Sequence, residues 1–262
     1  MEYSQAKKAY QNINKIAGWF SEEAAMALAL FDEVQKQNQY SGDIFEIGVH
    51  HGKSALFLHQ FLSDTEDLRI CDLFNYQTQN ISTSGKGDKV IFLNHLHRVL
   101  KRSDITLFEK SSNHLSVKEI GRSYRMFHID GGHSCQEALS DLELAAEAVH
   151  PYGVIILDDP FRSEWPGVTE ALIAFLKKSS NFSALLIGFN KLFIVHNNYY
   201  NLYASAFDNV AHRSNYALGF PLAYKTVSFL EKDLRCFYIP TYIHKPSLKQ
   251  RIYIQLKKWG LK

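Results

Sequence analysis

Asp130 ends the run FHID, Asp158 and Asp159 end the run VIILDD, and His133 follows Asp130 in DGGH. Carboxylates that converge at a cleft repel one another, and the physical remedies are proton uptake or a hard divalent cation held by oxygen ligands. Asp130, Asp158 and Asp159 are therefore candidate ligands for Mg2+ or another divalent cation. The Asp158-Asp159 pair also fits the plainer role of capping the loop that follows it. His133 sits on a turn that glycines make permissive, so its imidazole can reach the same cleft. An ordinary pKa of about 6.5 makes histidine a natural general base toward a hydroxyl. His133 is the candidate catalytic residue, singled out from 12 histidines by its position beside the carboxylates.

A second group lies upstream, in residues 44–54, IFEIGVHHGKS. A short apolar run followed by a glycine-bearing turn and the helical SALFLHQFL is the start of a βα unit, where backbone N–H groups meet a ligand. The spacing Glu46-x-Gly48-x-x-x-Gly52 differs from the Gly-x-Gly-x-x-Gly of a dinucleotide site. It is also one residue too short for the phosphate loop that Gly52-Lys53-Ser54 imitates, which leaves ATP a weak alternative. An acid at Glu46 repels a pyrophosphate and attracts a cationic amino-acid moiety. Asp72, about twenty residues beyond the turn, is placed to accept both hydroxyls of a ribose, or to be an ordinary strand-end turn residue. Ser111 and Ser112 could meet an adenine edge. The candidate cofactor residues are thus Glu46, Gly48, Gly52, Ser54, Asp72, Ser111, Ser112 and Asp130, the last shared with the carboxylate group. His50 and His51 are adjacent in the turn and read as loop residues rather than a metal pair.

The elements that must position these groups alternate. Strand-like LRICDLF, ITLFEKS, YRMFHID and GVIILDD are separated by helix-like VIFLNHLHRVLKR, a short helix near HLSVKEI, and CQEALSDLELAAEAV. With residues 44–49 this gives five strands in βαβ units, hence a parallel sheet with helices on both faces. A helix over 167–178 precedes SALLIGF and LFIVHN, whose separation by Asn190-Lys191 predicts a closing antiparallel hairpin. Residues 21–36 read as a capped amphipathic helix opened by Ser21, while residues 3–18 show no clear apolar stripe. Three segments follow: an N-terminal helical part over 1–40, a core over 41–198 and a C-terminal extension over 199–262.

Hydrophobic residues make up 46% of the 262-residue chain and charged ones 21%, values of an ordinary globular protein that argue against disorder and fibrous classes. A net charge of +2 is too balanced for a nucleic-acid binder. Cys71, Cys135 and Cys236 are far apart and form no CxxC pair, which fits a reduced, cytoplasmic setting. No apolar run suits a signal peptide or a membrane span. Residues 245–262 are basic and interleaved with Leu248, Ile252, Ile254, Leu256, Trp259 and Leu261. Such an end packs on its own domain or makes weak peripheral contact with an anionic membrane. The Tyr- and Phe-rich stretch over 198–225 reads as substrate wall or homo-oligomer contact.

Across residues 43–195 the chain resembles the class I S-adenosylmethionine-dependent methyltransferases, in the metal-dependent O-methyltransferase branch related to macrolide-sugar and catechol methyltransferases. The resemblance is carried by IFEIGVHHGKS, ICDLF, FHIDGGHSCQEALSDL and GVIILDDPFRSEWPGV. It implies a Rossmann-like seven-stranded sheet whose last strand is antiparallel. It further implies that Glu46 and Gly48 face the methionine part of S-adenosylmethionine, Asp72 the ribose and Ser111-Ser112 the adenine. Asp130, Asp158 and Asp159 look like the family's magnesium ligands, with His133 as base and Trp165-Pro166-Gly167 as acceptor wall. The acceptor it implies is a sugar or other small-molecule hydroxyl. The same metal site in a cephalosporin-hydroxylase relative, and a catalytically silent cofactor-binding scaffold, stay open as alternatives; glycine spacing disfavours a nicotinamide oxidoreductase.

Overall fold

The computed structural model describes residues 1, 3–81, 83–100, 105–213, 218–240 and 248–258. Its centre is a sheet of β1 (Asp43–Ile47), β2 (Leu68–Asp72), β3 (Thr106–Glu109), β4 (Tyr124–Ile129), β5 (Val149–Asp158), β6 (Phe182–Gly188), β7 (Lys191–His196), β8 (Ala223–Phe229) and β9 (Lys232–Tyr238). The helices are α1 (Tyr3–Ile13), α2 (Glu22–Gln37), α3 (Lys53–His59), α4 (Lys89–Leu100), α5 (Val117–Ile120), α6 (Cys135–Ala148), α7 (Pro166–Lys178), α8 (Tyr200–Arg213) and α9 (Leu248–Lys258). Strand order is β3-β2-β1-β4-β5-β7-β6-β9-β8. The first seven strands of that order are the expected α/β methyltransferase sheet, with β7 antiparallel to both β5 and β6.

Burial explains the pattern. Every residue of β4 is buried, as a central parallel strand covered on both faces requires. Ile44, Met126, Ile156 and Phe193 face one apolar layer with α1, α2, α3 and α8; Phe45, Phe127, Ile155 and Ile194 face the other with α6 and α7. Ser21 caps α2 by accepting from the Ala24 amide, and Ser134 with Glu137 forms a capping box on α6.

Three expectations are corrected. Residues 3–13 are helical and bury Ala6, Ala9 and Ile13; the stripe escapes notice because two of its members are alanine. The hairpin turn is Phe189-Asn190, both at positive φ, one residue earlier than the sequence suggests, and β7 inserts between β5 and β6 rather than closing an edge. The extension supplies core instead of a substrate wall. Phe31 of α2 lies 5.3 Å from Tyr203 and 4.6 Å from Phe207 of α8, centroid to centroid, and β9 and β8 add two strands beyond β6. Leu248 and Ile252 of α9 stay exposed, while the Lys7 Nζ donates to the Lys257 carbonyl. Trp259 and Leu261 lie outside the described residues. Among the described residues no helix is long and apolar enough to cross a membrane.

At the amino ends of the strands a buried ion cluster ties sheet to helix. Arg125 Nε donates to Glu66 (2.9 Å), Nη1 to Asp32 (2.9 Å) and Gln35 (3.0 Å), and Nη2 to the Phe61 carbonyl (2.9 Å) and Glu66 (3.3 Å).

Candidate functional site

The carboxyl ends of β1 to β5 open on one edge, and strand order reverses between β1 and β4, the place where open α/β sheets bind ligands. A cavity of ≈ 340 Å³ lies there, lined by Gly48, Asp72, Ser111, Ser112, Asp130, Asp158, Asp159, His133 and Trp165 among others. Gly48 is at φ +80, and a Cβ on it would stand 1.8 Å from the Asp130 carbonyl oxygen. Only glycine lets the ends of β1 and β4 approach this closely. Asp72 Oδ2 accepts from the Val49 (2.6 Å) and His50 (2.9 Å) amides and Oδ1 from the Phe74 amide (2.6 Å), which fixes the turn. A carboxylate offers about four lone-pair sites, so Asp72 retains capacity toward a ligand in the cavity.

Glu46, Gly52 and Ser54, expected at the cofactor, do not line this cavity. Glu46 is fully buried, because strand alternation turns it to the same face as Ile44, away from Ile47. Its register partner is His128, whose Nδ1 lies 2.8 Å from Glu46 Oε1. Burial pushes the Glu46 carboxyl up to about 8, against the lowering effect of the Ser54 hydroxyl and Lys191. Ser54 is thus a partner of Glu46, and Gly52 is the N-cap of α3.

The same alternation builds a charged row across one face: Glu46 on β1, His128 on β4, Asp158 on β5 and Lys191 on β7. Lys191 is 2% exposed. Its ammonium lies 2.7 Å from Asp158 Oδ2 and 3.1 Å from His128 Nε2. An ammonium only donates, so His128 Nε2 accepts and its Nδ1–H points to Glu46. Burial, with help from Lys191, pushes His128 down to about 3, so it is neutral. Burial works against the Lys191 charge, but Asp158 and Asp130 outweigh it and raise the lysine. Asp130 stands above His128; burial and the neighbouring Asp158 push its carboxyl well up.

His133 is held on three sides. Its ring stacks on Trp165 at 4.1 Å, Nδ1 lies 2.9 Å from Ser84 Oγ, and Nε2 lies 3.1 Å from Asp159 Oδ2. Asp159 also receives Arg162 Nη1 (3.0 Å) and Asn190 Nδ2. Burial opposes its charge, yet the bonds from His133, Asn190 and Arg162 prevail and hold it down at about 2. It adopts φ +57, a strained conformation of the kind that gathers at functional sites.

The expected trio Asp130, Asp158 and Asp159 therefore divides. Two donor groups exist among the described residues, His128–Asp130–Asp158 and Asp130–His133–Asp159, each with ligand atoms within 4.8 Å of one another. Lys191, Arg162, Ser84 and Asp141 join the site without having been singled out from the sequence. Asp141 on α6 is fully buried, neither carboxyl oxygen has a hydrogen-bond partner, and burial pushes it up to about 7. It lies behind Gly131, where an added Cβ would meet its Oδ2 at 3.0 Å.

The profile of the family described as a methyltransferase domain matches residues 45–160, from the middle of β1 to the loop after Asp159. Residues 45–160 thus resemble a methyltransferase domain. Solved structures agree on the fold. The O-methyltransferase NovP superposes with a TM-score of 0.56 at 13% identity, covering 68% of this chain and 82% of that one. SAH-bound PaMTH1 of Podospora anserina gives 0.52 at 13% identity over 75% and 89%. The O-methyltransferase from Bacillus cereus in complex with SAH gives 0.50 at 16% over 73% and 88%. No curated protein matches the chain by sequence. In a fold of this kind the cavity at the β1–β4 switch is where the geometry of the sheet puts a ligand.

Proposed function

We propose that this methyltransferase transfers the methyl group of S-adenosylmethionine to a hydroxyl oxygen of a small molecule or sugar, with His133 as general base. The reading rests on the His133 imidazole, set between Asp159 and the cavity at the carboxyl ends of the strands.

The residues fit the cofactor. Asp72 offers a carboxylate to a ribose, Gly48 leaves room at the turn, and the unpartnered Asp141 behind Gly131 is a buried acceptor beside Ser112 at the far wall. S-Adenosylmethionine supplies a methyl group on a positively charged sulfur, open to attack by an oxygen. Asp159 stays ionised and takes the His133 Nε2–H, which leaves Nδ1 as the proton acceptor. Nδ1 faces Ser84 Oγ, so the acceptor hydroxyl gives up its proton at that atom, directly or through the serine. Trp165 fixes the ring plane, and with Trp19 it lends aromatic faces to the cavity on which a sugar or phenol ring can stack.

A divalent cation fits the chemistry of Asp130, His133 and Asp159, where it would supply a Lewis-acid contact to the acceptor oxygen. An ion on Nε2 leaves the proton on Nδ1, so ion binding at His133 and base action by His133 are alternatives. The Arg162 and Asn190 bonds to Asp159 favour the base.

The test is calorimetry with S-adenosylhomocysteine, followed by turnover on a panel of sugar and phenolic hydroxyls. His133→Ala should lower turnover by about 10²–10⁴-fold while leaving S-adenosylhomocysteine affinity within about twofold. Absence of binding at about 1 mM ligand would sink the cofactor reading; an unchanged rate in the variant would sink the base.

A further inference from the structure

The carboxylate end holds more charge than methyl transfer uses, and one of its buried members is a cation. Asp158 and Lys191 are direct cross-strand partners in the β5–β7 ladder. The backbone register therefore fixes their encounter, and Phe193 and Val195 of the same strand face are buried beneath. The Lys191 ammonium takes one bond to Asp158 Oδ2 (2.7 Å) and one to His128 Nε2 (3.1 Å), and the Phe20 ring stands 5.5 Å from it. The remaining Asp158 oxygen accepts from the Asp159 amide (3.0 Å) and Asn190 Nδ2 (3.1 Å). A metal at His128–Asp130–Asp158 would need the Nε2 lone pair and the Asp158 oxygen that already point at the ammonium. Displacing a buried ammonium leaves it without a partner, which strongly disfavours the exchange.

We propose that Lys191 is a resident cation filling the His128–Asp130–Asp158 trio, so that this trio takes no divalent ion and Asp158 serves Lys191 rather than a metal. Any divalent ion is then confined to the cavity side, at Asp130, His133 and Asp159. The assignment deepens the metal part of the reading above. It is tested without cofactor or acceptor, so its failure leaves the methyl-transfer reading untouched.

The experiment is a Mn2+ titration of the full chain, read by electron paramagnetic resonance, with thermal unfolding as a check on folding. Asp158→Asn should keep the wild-type number of bound ions, with affinity changed less than about threefold. Lys191→Ala should bind one more Mn2+ per chain than wild type, and Lys191→Ala combined with Asp158→Asn should lose it again. A wild-type chain that binds no ion also meets the expectation, since the deep trio is closed. Loss of a wild-type ion in Asp158→Asn overturns the assignment, as does a folded Lys191→Ala with the wild-type count. Should Lys191→Ala not fold, Lys191→Met and Lys191→Met combined with Asp158→Asn replace it in the same count, with the same outcomes.

Discussion

Strand β4 carries ionic chemistry at both of its ends, and the two ends are built on opposite terms. At the amino end Arg125 is fully buried and every one of its nitrogens donates to an acceptor. Glu66 in that cluster is held below the usual carboxylate range, because the Ser63 and Gly42 amides and Arg125 outweigh its burial. At the carboxyl end Glu46, Asp130 and Asp141 are all pushed upward by burial, and Glu46 Oε2 and both Asp141 oxygens lack partners. Buried polar groups in folded proteins are nearly always paired. Groups closed on themselves fix the fold; at the other end Asp130 lines the cavity and is available to a ligand, while Glu46 and Asp141 lie buried behind it.

Removing the closed cluster should give the largest effect. Arg125→Met leaves Asp32 and Glu66 facing each other across a buried gap, and loss of one partner of such a set costs about 3–5 kcal/mol. Urea unfolding should show that loss, while the molecules still folded bind S-adenosylhomocysteine as wild type does. A loss under about 1 kcal/mol would mean that the cluster relaxes and that the contrast between the two ends is false.

Much of the open end is legible in the sequence, because Asp130, Asp158 and Asp159 fall at or just past strand ends and His133 on the turn that follows one of them. Their partners are not. Lys191 reads as a turn residue in the sequence, and a one-residue slip in a strand reverses which face a side chain takes; with the turn at Phe189-Asn190 it falls opposite Asp158. Arg162 and Ser84 reach the site from irregular segments, where no periodicity guides the eye. Glu46 follows the period of two, which sends it beneath the floor with Ile44 rather than toward the ligand. In the fold, the five parallel strands stand out as apolar runs. β8 and β9, AYKTVSF and KDLRCFY, are polar and half-exposed and carry no such signal.

A smaller effect separates the two ends by pH. Glu46 is raised from 4.5 to about 8, so between those values the folded state holds a proton that the unfolded state has released. Stability then falls as pH rises. Below about 6.5 the unfolded state also protonates His128, which is held near 3 in the fold, and that contribution runs the other way. The clean window is therefore pH 7 to 8. Across it wild type should lose about 1 kcal/mol more than Glu46→Gln, measured by denaturation at each pH, while substitutions in the Arg125 cluster leave the slope alone. Equal slopes in wild type and Glu46→Gln would place the Glu46 carboxylate in the charged state throughout.

The smallest effect is expected at the rim. Trp19 is 76% exposed, lines the cavity mouth and lies 5.4 Å from His50 with the rings tilted. So exposed a ring contributes little to folding, and Trp19→Ala should change stability by no more than about 0.5 kcal/mol. The cofactor contacts proposed above lie deeper, at Asp72 and Ser112, so S-adenosylhomocysteine affinity should be unaltered. An aromatic contact to an acceptor ring is worth about 0.5–1.5 kcal/mol, which corresponds to a rise in acceptor KM of about two- to tenfold at constant kcat. A drop in stability instead would make Trp19 a structural prop for the His50 turn and move the acceptor contact elsewhere on the rim. An effect on KM alone would extend the open end of the molecule from its buried carboxylates out to solvent.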